Sequence, residues 1–210
     1  MAKFPEPPET VDLEKLGIRP DETHTLRAGT RLWRVYFQGG PHPALWNGFR
    51  SWGPSNARFD HHVPPAGVNE RRILYAGAQG RVCLAEVLQN ARTIDRTRRQ
   101  PWLVAFTVDR DVRLLDLTGL WPTRAGASQA ISSGSRPKAQ RWPRRIYDAY
   151  PDVEGLRYRS SMAGGEPAFA LYERAESAVP GTPDFHRALA DPVLLTPLEN
   201  AAARIGYLIV

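Results

Sequence analysis

Two adjacent apolar runs with different spacing constrain this chain more than any other feature. Ile73-Leu74-Tyr75-Ala76-Gly77 has the length and composition of a buried strand ending in a glycine turn. Val82, Leu84, Ala85, Val87 and Leu88 then follow at the close spacing of a helix packed on a sheet. Glu86 interrupts that second run, and a carboxylate among apolar neighbours is costly to desolvate unless something binds it. Either it points to solvent from the outer face of the helix, or it faces a pocket.

Elsewhere the reading is of one large domain, residues 29–210, preceded by a proline-rich arm over residues 1–28 with an amphipathic patch at 11–16. Thr30 to Phe37 alternates and is rich in aromatic and β-branched residues, so it reads as a strand. Leu32, Arg34 and Tyr36 share one face of it. An arginine between apolar neighbours needs an anion, either a protein carboxylate or a ligand phosphate. From Gly39 to Asn69 the chain turns to Gly, Pro, Asn, Ser and Trp, too long for an ordinary connection. Its tight element is 55–60, and its four aromatic residues, Trp46, Phe49, Trp52 and Phe59, require packing or a ligand.

Residues 93–100 read as a basic solvated link, and 102–108 and 112–117 as strands around the turn 109–111. Residues 125–150 read as short helical pieces broken by prolines. Residues 155–161 read as a strand ending in hydroxyls, 168–172 as a strand, 184–190 as a short helix, and 193–195 and 206–210 as closing strands. Strands outnumber helices without regular alternation, which makes the class α+β with a compact mixed or antiparallel sheet core and flanking helices.

Net charge is +6, and only three of the 28 basic residues are lysine. Guanidinium suits bidentate recognition of phosphate and carboxylate. The densest basic cluster is Arg136, Lys138, Arg141, Arg144 and Arg145, a weak nucleic-acid signal because no recognised binding motif accompanies it. One cysteine, Cys83, excludes an intramolecular disulfide. His42, His61 and His62 lack metal-ligand spacing, so no metal is expected. With no leader-like opening and no apolar run of membrane-spanning length, a cytoplasmic protein without membrane contact is expected.

Five pieces, in order, resemble the RES domain family, named for its Arg, Glu and Ser. They are Leu32-Trp33-Arg34-Val35-Tyr36, Ala57-Arg58-Phe59, Leu74-Tyr75-Ala76, Leu84-Ala85-Glu86-Val87 and Gly155-Leu156-Arg157-Tyr158-Arg159-Ser160-Ser161. The resemblance covers residues 30–172. It implies a fold like that of ADP-ribosyltransferases and the toxin half of a toxin–antitoxin pair whose antitoxin carries a helix-turn-helix DNA-binding region. It further implies NAD⁺ as substrate, split by glycohydrolysis, phosphorolysis or ADP-ribosyl transfer to protein. Arg34, Tyr75, Glu86 and either Ser160 or Ser161 would line the site, with Glu86 and Arg34 catalytic and Arg58 a further contact. The chain departs from the family pattern at Phe59-Asp60, where Trp-Asn is common, and at Arg159, where Pro often precedes the Ser.

The residue types fit that chemistry. Nicotinamide leaves ribose through an oxocarbenium-like transition state that a carboxylate such as Glu86 stabilises. Arg34 and Arg58 suit a diphosphate, and Tyr75 suits a cationic ring. No glycine-rich dinucleotide-binding loop is present, which argues against redox use of NAD⁺. The competing classes are a basic nucleic-acid-binding or ribonuclease-like toxin and a catalytically silent antitoxin-binding domain. A homodimer is compatible with the sequence.

Overall fold

The computed structural model describes residues 4–210. A mixed nine-stranded sheet carries the molecule. Its strands are β1 (Thr23–Leu26), β2 (Arg31–Phe37), β3 (Arg50–Gly53), β4 (Gly67–Gly77), β6 (Pro101–Thr107), β7 (Val112–Asp116), β8 (Gly155–Arg159), β9 (Pro167–Tyr172) and β10 (Phe185–Ala188). A separate parallel pair joins β5 (Thr93–Ile94) to β11 (Leu208–Ile209). The helices are α1 (Thr10–Leu16), α2 (Gly80–Val87), α3 (Trp121–Arg124), α4 (Ala130–Ser133), α5 (Arg136–Ala139), α6 (Arg141–Ala149) and α7 (Leu195–Ile205). The class is α+β, as the strand-rich pattern implied.

The strand order is β1-β7-β8-β9-β4-β2-β6-β10, and every pairing but β7–β8 is antiparallel. The seam that matters lies between β4 and β2. Those strands share a single register pair, Trp33 with Gly77, and then part. Beyond the fork β2 continues against β6, while β4 turns its other end to β3. A sheet that parts in this way leaves backbone and side chains facing a gap.

Helix α2 packs at the fork. Its Val82, Cys83, Leu84 and Ala85 are buried, and Cys83 Sγ donates to the Trp33 carbonyl at 3.0 Å. A Cβ on Gly77 would lie 3.0 Å from that sulfur and 3.2 Å from Val82, so glycine lets the helix approach the strand.

Several elements differ from the sequence expectation. Residues 184–190 hold strand β10 rather than a helix, because the free edge of β6 offers unpaired backbone groups that a four-residue segment can satisfy. Residues 193–195 are not a strand: Asp191 accepts from Val193 N at 3.0 Å and opens a 3-10 turn that runs into α7. That helix buries Leu198 and Ala202 and stops at Gly206 in the left-handed region, φ 69°. The long 39–69 segment contains β3 and the start of β4, and the 93–100 link contains β5.

The N-terminal residues contribute to the fold. β1 forms an outer strand of the sheet on β7. Helix α1 lays its buried Leu13 against α6, where Tyr150 Oη donates to the Leu13 carbonyl at 2.6 Å. Helix α6 tolerates Pro143 in its first turn and turns Trp142, Ile146 and Ala149 inward.

Candidate active site

The parting of β2 and β4 opens a cavity of about 870 Å³, roofed by the 41–59 segment and flanked by α2, α4 and α5. Arg34, Arg58, Tyr75, Glu86 and Ser161 all line it. Residues from Arg34 to Ala168, far apart in sequence, thus meet in one concavity.

Glu86 sits in the last turn of α2, half-buried and turned into the cavity rather than outward. Its Oε1 accepts a 2.5 Å hydrogen bond from Ser160 Oγ. Burial pushes the Glu86 carboxyl above the ordinary carboxylate range; the Ser160 bond and the charges of Arg58 and Arg136 oppose that shift.

The two serines differ. Ser160 is buried, and its hydroxyl also accepts from Met162 N at 3.2 Å and Ala163 N at 3.0 Å. With one proton donated and two N–H groups accepted, that hydroxyl is fully committed. Ser161 is exposed and lines the cavity.

Arg34 is 9% exposed, and its Nη1 is buried with no hydrogen-bond partner. Among the described residues no carboxylate lies within ion-pairing distance of it. Burial lowers its pKa to about 10. Of the two anions expected for it, the protein supplies none. The Oη of Tyr75 is likewise buried without a partner, and burial raises that phenol well above its ordinary range. Arg58 donates to the Gly134 carbonyl at 2.5 Å. Its pKa is lowered by burial and then by Arg136, with Glu86 acting against both.

The wall below the roof is held by Asp60, which is fully buried. It accepts from Arg50 Nη2 at 2.9 Å, Ser55 N at 2.6 Å, Ser55 Oγ at 2.7 Å and both the backbone and ring nitrogens of His62. Burial pushes its carboxyl upward, but His62, the Arg50 charge and Ser55 more than offset that and hold it well below the usual range. Gln140 Nε2 reaches across from the α5–α6 junction to the carbonyls of Ser55 and Ala57 at 2.7 and 2.8 Å. The tight element expected at 55–60 is thus a charge-centred turn.

Sequence reasoning passed over Arg50, Asp60, Arg136 and Tyr158. Arg50, Arg136 and Tyr158 line the cavity. Arg136 was legible only as one member of a basic cluster, and the structure disperses that cluster. Arg141 pairs with Glu6 at 2.8 Å, Arg145 with Glu9 at 2.7 Å, and Lys138 donates to the Phe4 carbonyl at 3.4 Å. Among the described residues no group of three or more His, Cys, Asp or Glu side chains is placed to hold a metal, and no helix is long and apolar enough to cross a membrane.

A family model described as the RES domain matches residues 31–190. Among solved structures, the chain is similar to one in the crystal structure of the M. tuberculosis MbcT–MbcA toxin–antitoxin complex. That match has a TM-score of 0.53 and 15% identity, and covers 84% of this chain and 92% of the other. At that identity the likeness is one of fold. No curated protein matches in sequence.

Proposed function

The chain belongs to the RES domain family, and from that premise we propose that it is an enzyme that breaks the nicotinamide–ribose bond of NAD⁺, acting as the toxin of a toxin–antitoxin pair. The observation that carries this reading is Arg34: a buried guanidinium without a protein anion, in the same cavity as an inward-facing carboxylate. A ligand that is anionic in its middle and cationic at one end matches that pairing of charges.

In the proposed reaction the C1′–N1 bond breaks and nicotinamide leaves with the bonding electron pair, which neutralises its pyridinium charge. Positive charge develops on C1′ and the ring oxygen of ribose. The Glu86 carboxylate stabilises it, and Ser160 holds that carboxylate in place and ionised. Arg34 and Arg58 meet the diphosphate, and Tyr75 lies against the nicotinamide ring, a contact of about 0.5–2 kcal/mol. An acceptor bonds to C1′: water or a protein nucleophile then passes its proton to solvent, whereas inorganic phosphate bonds through an oxygen that is already ionised. A partner protein is proposed as well, an antitoxin with a helix-turn-helix region, by likeness to the family and to the neighbour seen with its antitoxin.

The decisive measurement is nicotinamide release from NAD⁺ by the purified protein. Glu86→Ala should lower kcat by about a hundredfold or more while leaving the melting temperature within a few degrees. Wild-type protein that releases no nicotinamide, and labels no protein with ADP-ribose, defeats the reading.

A further inference from the structure

Arg136 and Gln89 belong to none of the motif pieces, yet both reach the cavity beside Glu86. Arg136 Nη2 donates to Gln89 Oε1, and Gln89 Nε2 donates to the Glu86 carbonyl at 2.6 Å. Arg136 is thereby tethered to the last turn of α2, the turn that carries the carboxylate. Opposite it, Arg58 donates to Gly134 O, two residues before Arg136.

Two guanidiniums therefore converge on one end of the cavity. They lie near enough for Arg136 to disfavour the charge on Arg58, and both act on Glu86. Among the described residues neither forms an ion pair, and the Oε1 of Glu86 is engaged by Ser160 rather than by either arginine. The single Glu86 carboxylate, already held by Ser160, offsets only part of these two like charges, and an ionised phosphate oxygen on a ligand offsets the rest. Neutral amide acceptors, Gln89 Oε1 and Gly134 O, hold both side chains in position without neutralising them.

We propose that Arg136, tethered by Gln89, is a substrate-binding residue that shares with Arg58 the phosphate adjoining the ribose that loses nicotinamide. This rests on the reading of the site as an NAD⁺ site and deepens it. Proximity to Glu86 selects the phosphate. A group bound between these arginines lies next to the sugar that the carboxylate addresses, and Arg34, carried by β2, is left for the other phosphate.

The test measures ADP-ribose binding by calorimetry and nicotinamide release side by side, for wild type, Arg136→Ala, Arg136→Gln and Arg136→Lys. Alanine and glutamine should each weaken ADP-ribose binding by about tenfold or more, while lysine restores most of it. Nicotinamide alone should bind all four alike. Glutamine removes the charge and keeps a neutral amide donor on a shorter side chain, so a Gln variant that binds ADP-ribose as wild type does overturns the proposal. Loss of ADP-ribose binding in the Ala and Gln variants, beside a wild type that releases no nicotinamide, overturns the reaction but leaves the phosphate site. Normal release with ADP-ribose binding unchanged in every variant overturns the phosphate site alone. A wild type that binds no ADP-ribose overturns both.

Discussion

Arg34 carries a charge into the interior with no acid among the described residues to receive it, and the fold bears that desolvation cost. A buried charge with no partner bears its desolvation cost uncompensated, and an apolar side chain of similar length bears none. Arg34→Met should accordingly melt at or above the wild-type temperature in the absence of ligand, yet gain nothing from added ADP-ribose. A variant that melts well below wild type would mean that some protein group does pair with Arg34. Glu86 supports a second expectation, in pH. Its carboxyl is raised by burial, so the folded protein holds that proton more tightly than the unfolded chain does, and its ionisation works against stability as pH rises. The acid limb of nicotinamide release should lie above that of a free glutamate. In Ser160→Ala it should move higher still, because a hydrogen bond to the ionised form has gone. Profiles of kcat/KM against pH for the two proteins check the direction, and a limb that stays in place or moves down removes Ser160 from this role.

At the scale of elements, the 50–62 segment depends on one acid. Asp60 gathers Arg50, Ser55 and His62, and the Gly53 backbone packs so close to the His62 ring that a Cβ there would meet it at 2.4 Å. Asp60→Ala leaves Arg50 and His62 facing an empty acceptor and should cost about 3–5 kcal/mol, read as a fall in melting temperature. Asp60→Asn should lose less, since its amide oxygen still accepts. The Asp60 carboxyl is depressed on folding, so its contribution is complete at neutral pH. It fades as pH falls below the ordinary carboxylate range toward the lower folded value. Little of this segment was legible in the sequence. Glycine, proline and tryptophan between 39 and 69 marked a connection too long to be ordinary, but an acid, a serine and a histidine spaced over eight residues carry no periodic signal. Strands β2, β4 and β9 and helix α2 were legible because one buried face writes itself as alternation or helical spacing. Strand β10 and helix α7 were not, since a free sheet edge and an aspartate cap decided them against a short apolar run.

For the whole molecule, the family match begins at residue 31, but the physical domain begins earlier. Helix α1 covers α6 through Leu13, and Glu6 and Glu9 pair with Arg141 and Arg145. Leu13→Ala should therefore destabilise the folded protein by about 2–5 kcal/mol, as for other fully buried leucines. A melting temperature unchanged by that substitution would reduce the N-terminal segment to decoration. The candidate site was partly legible at this scale too. Arg34, Arg58, Tyr75 and Glu86 were named from short motifs, whereas Arg136 is brought in only by the folding of two four-residue helices, which no motif records.

The hydroxyl of Ser160 has every bonding direction occupied, so it has no lone pair left to offer an electrophile. Under the proposed reaction, the sugar cation is not trapped by this serine. Its fate passes to whichever acceptor reaches it, and the identity of the product becomes a matter of what surrounds the protein.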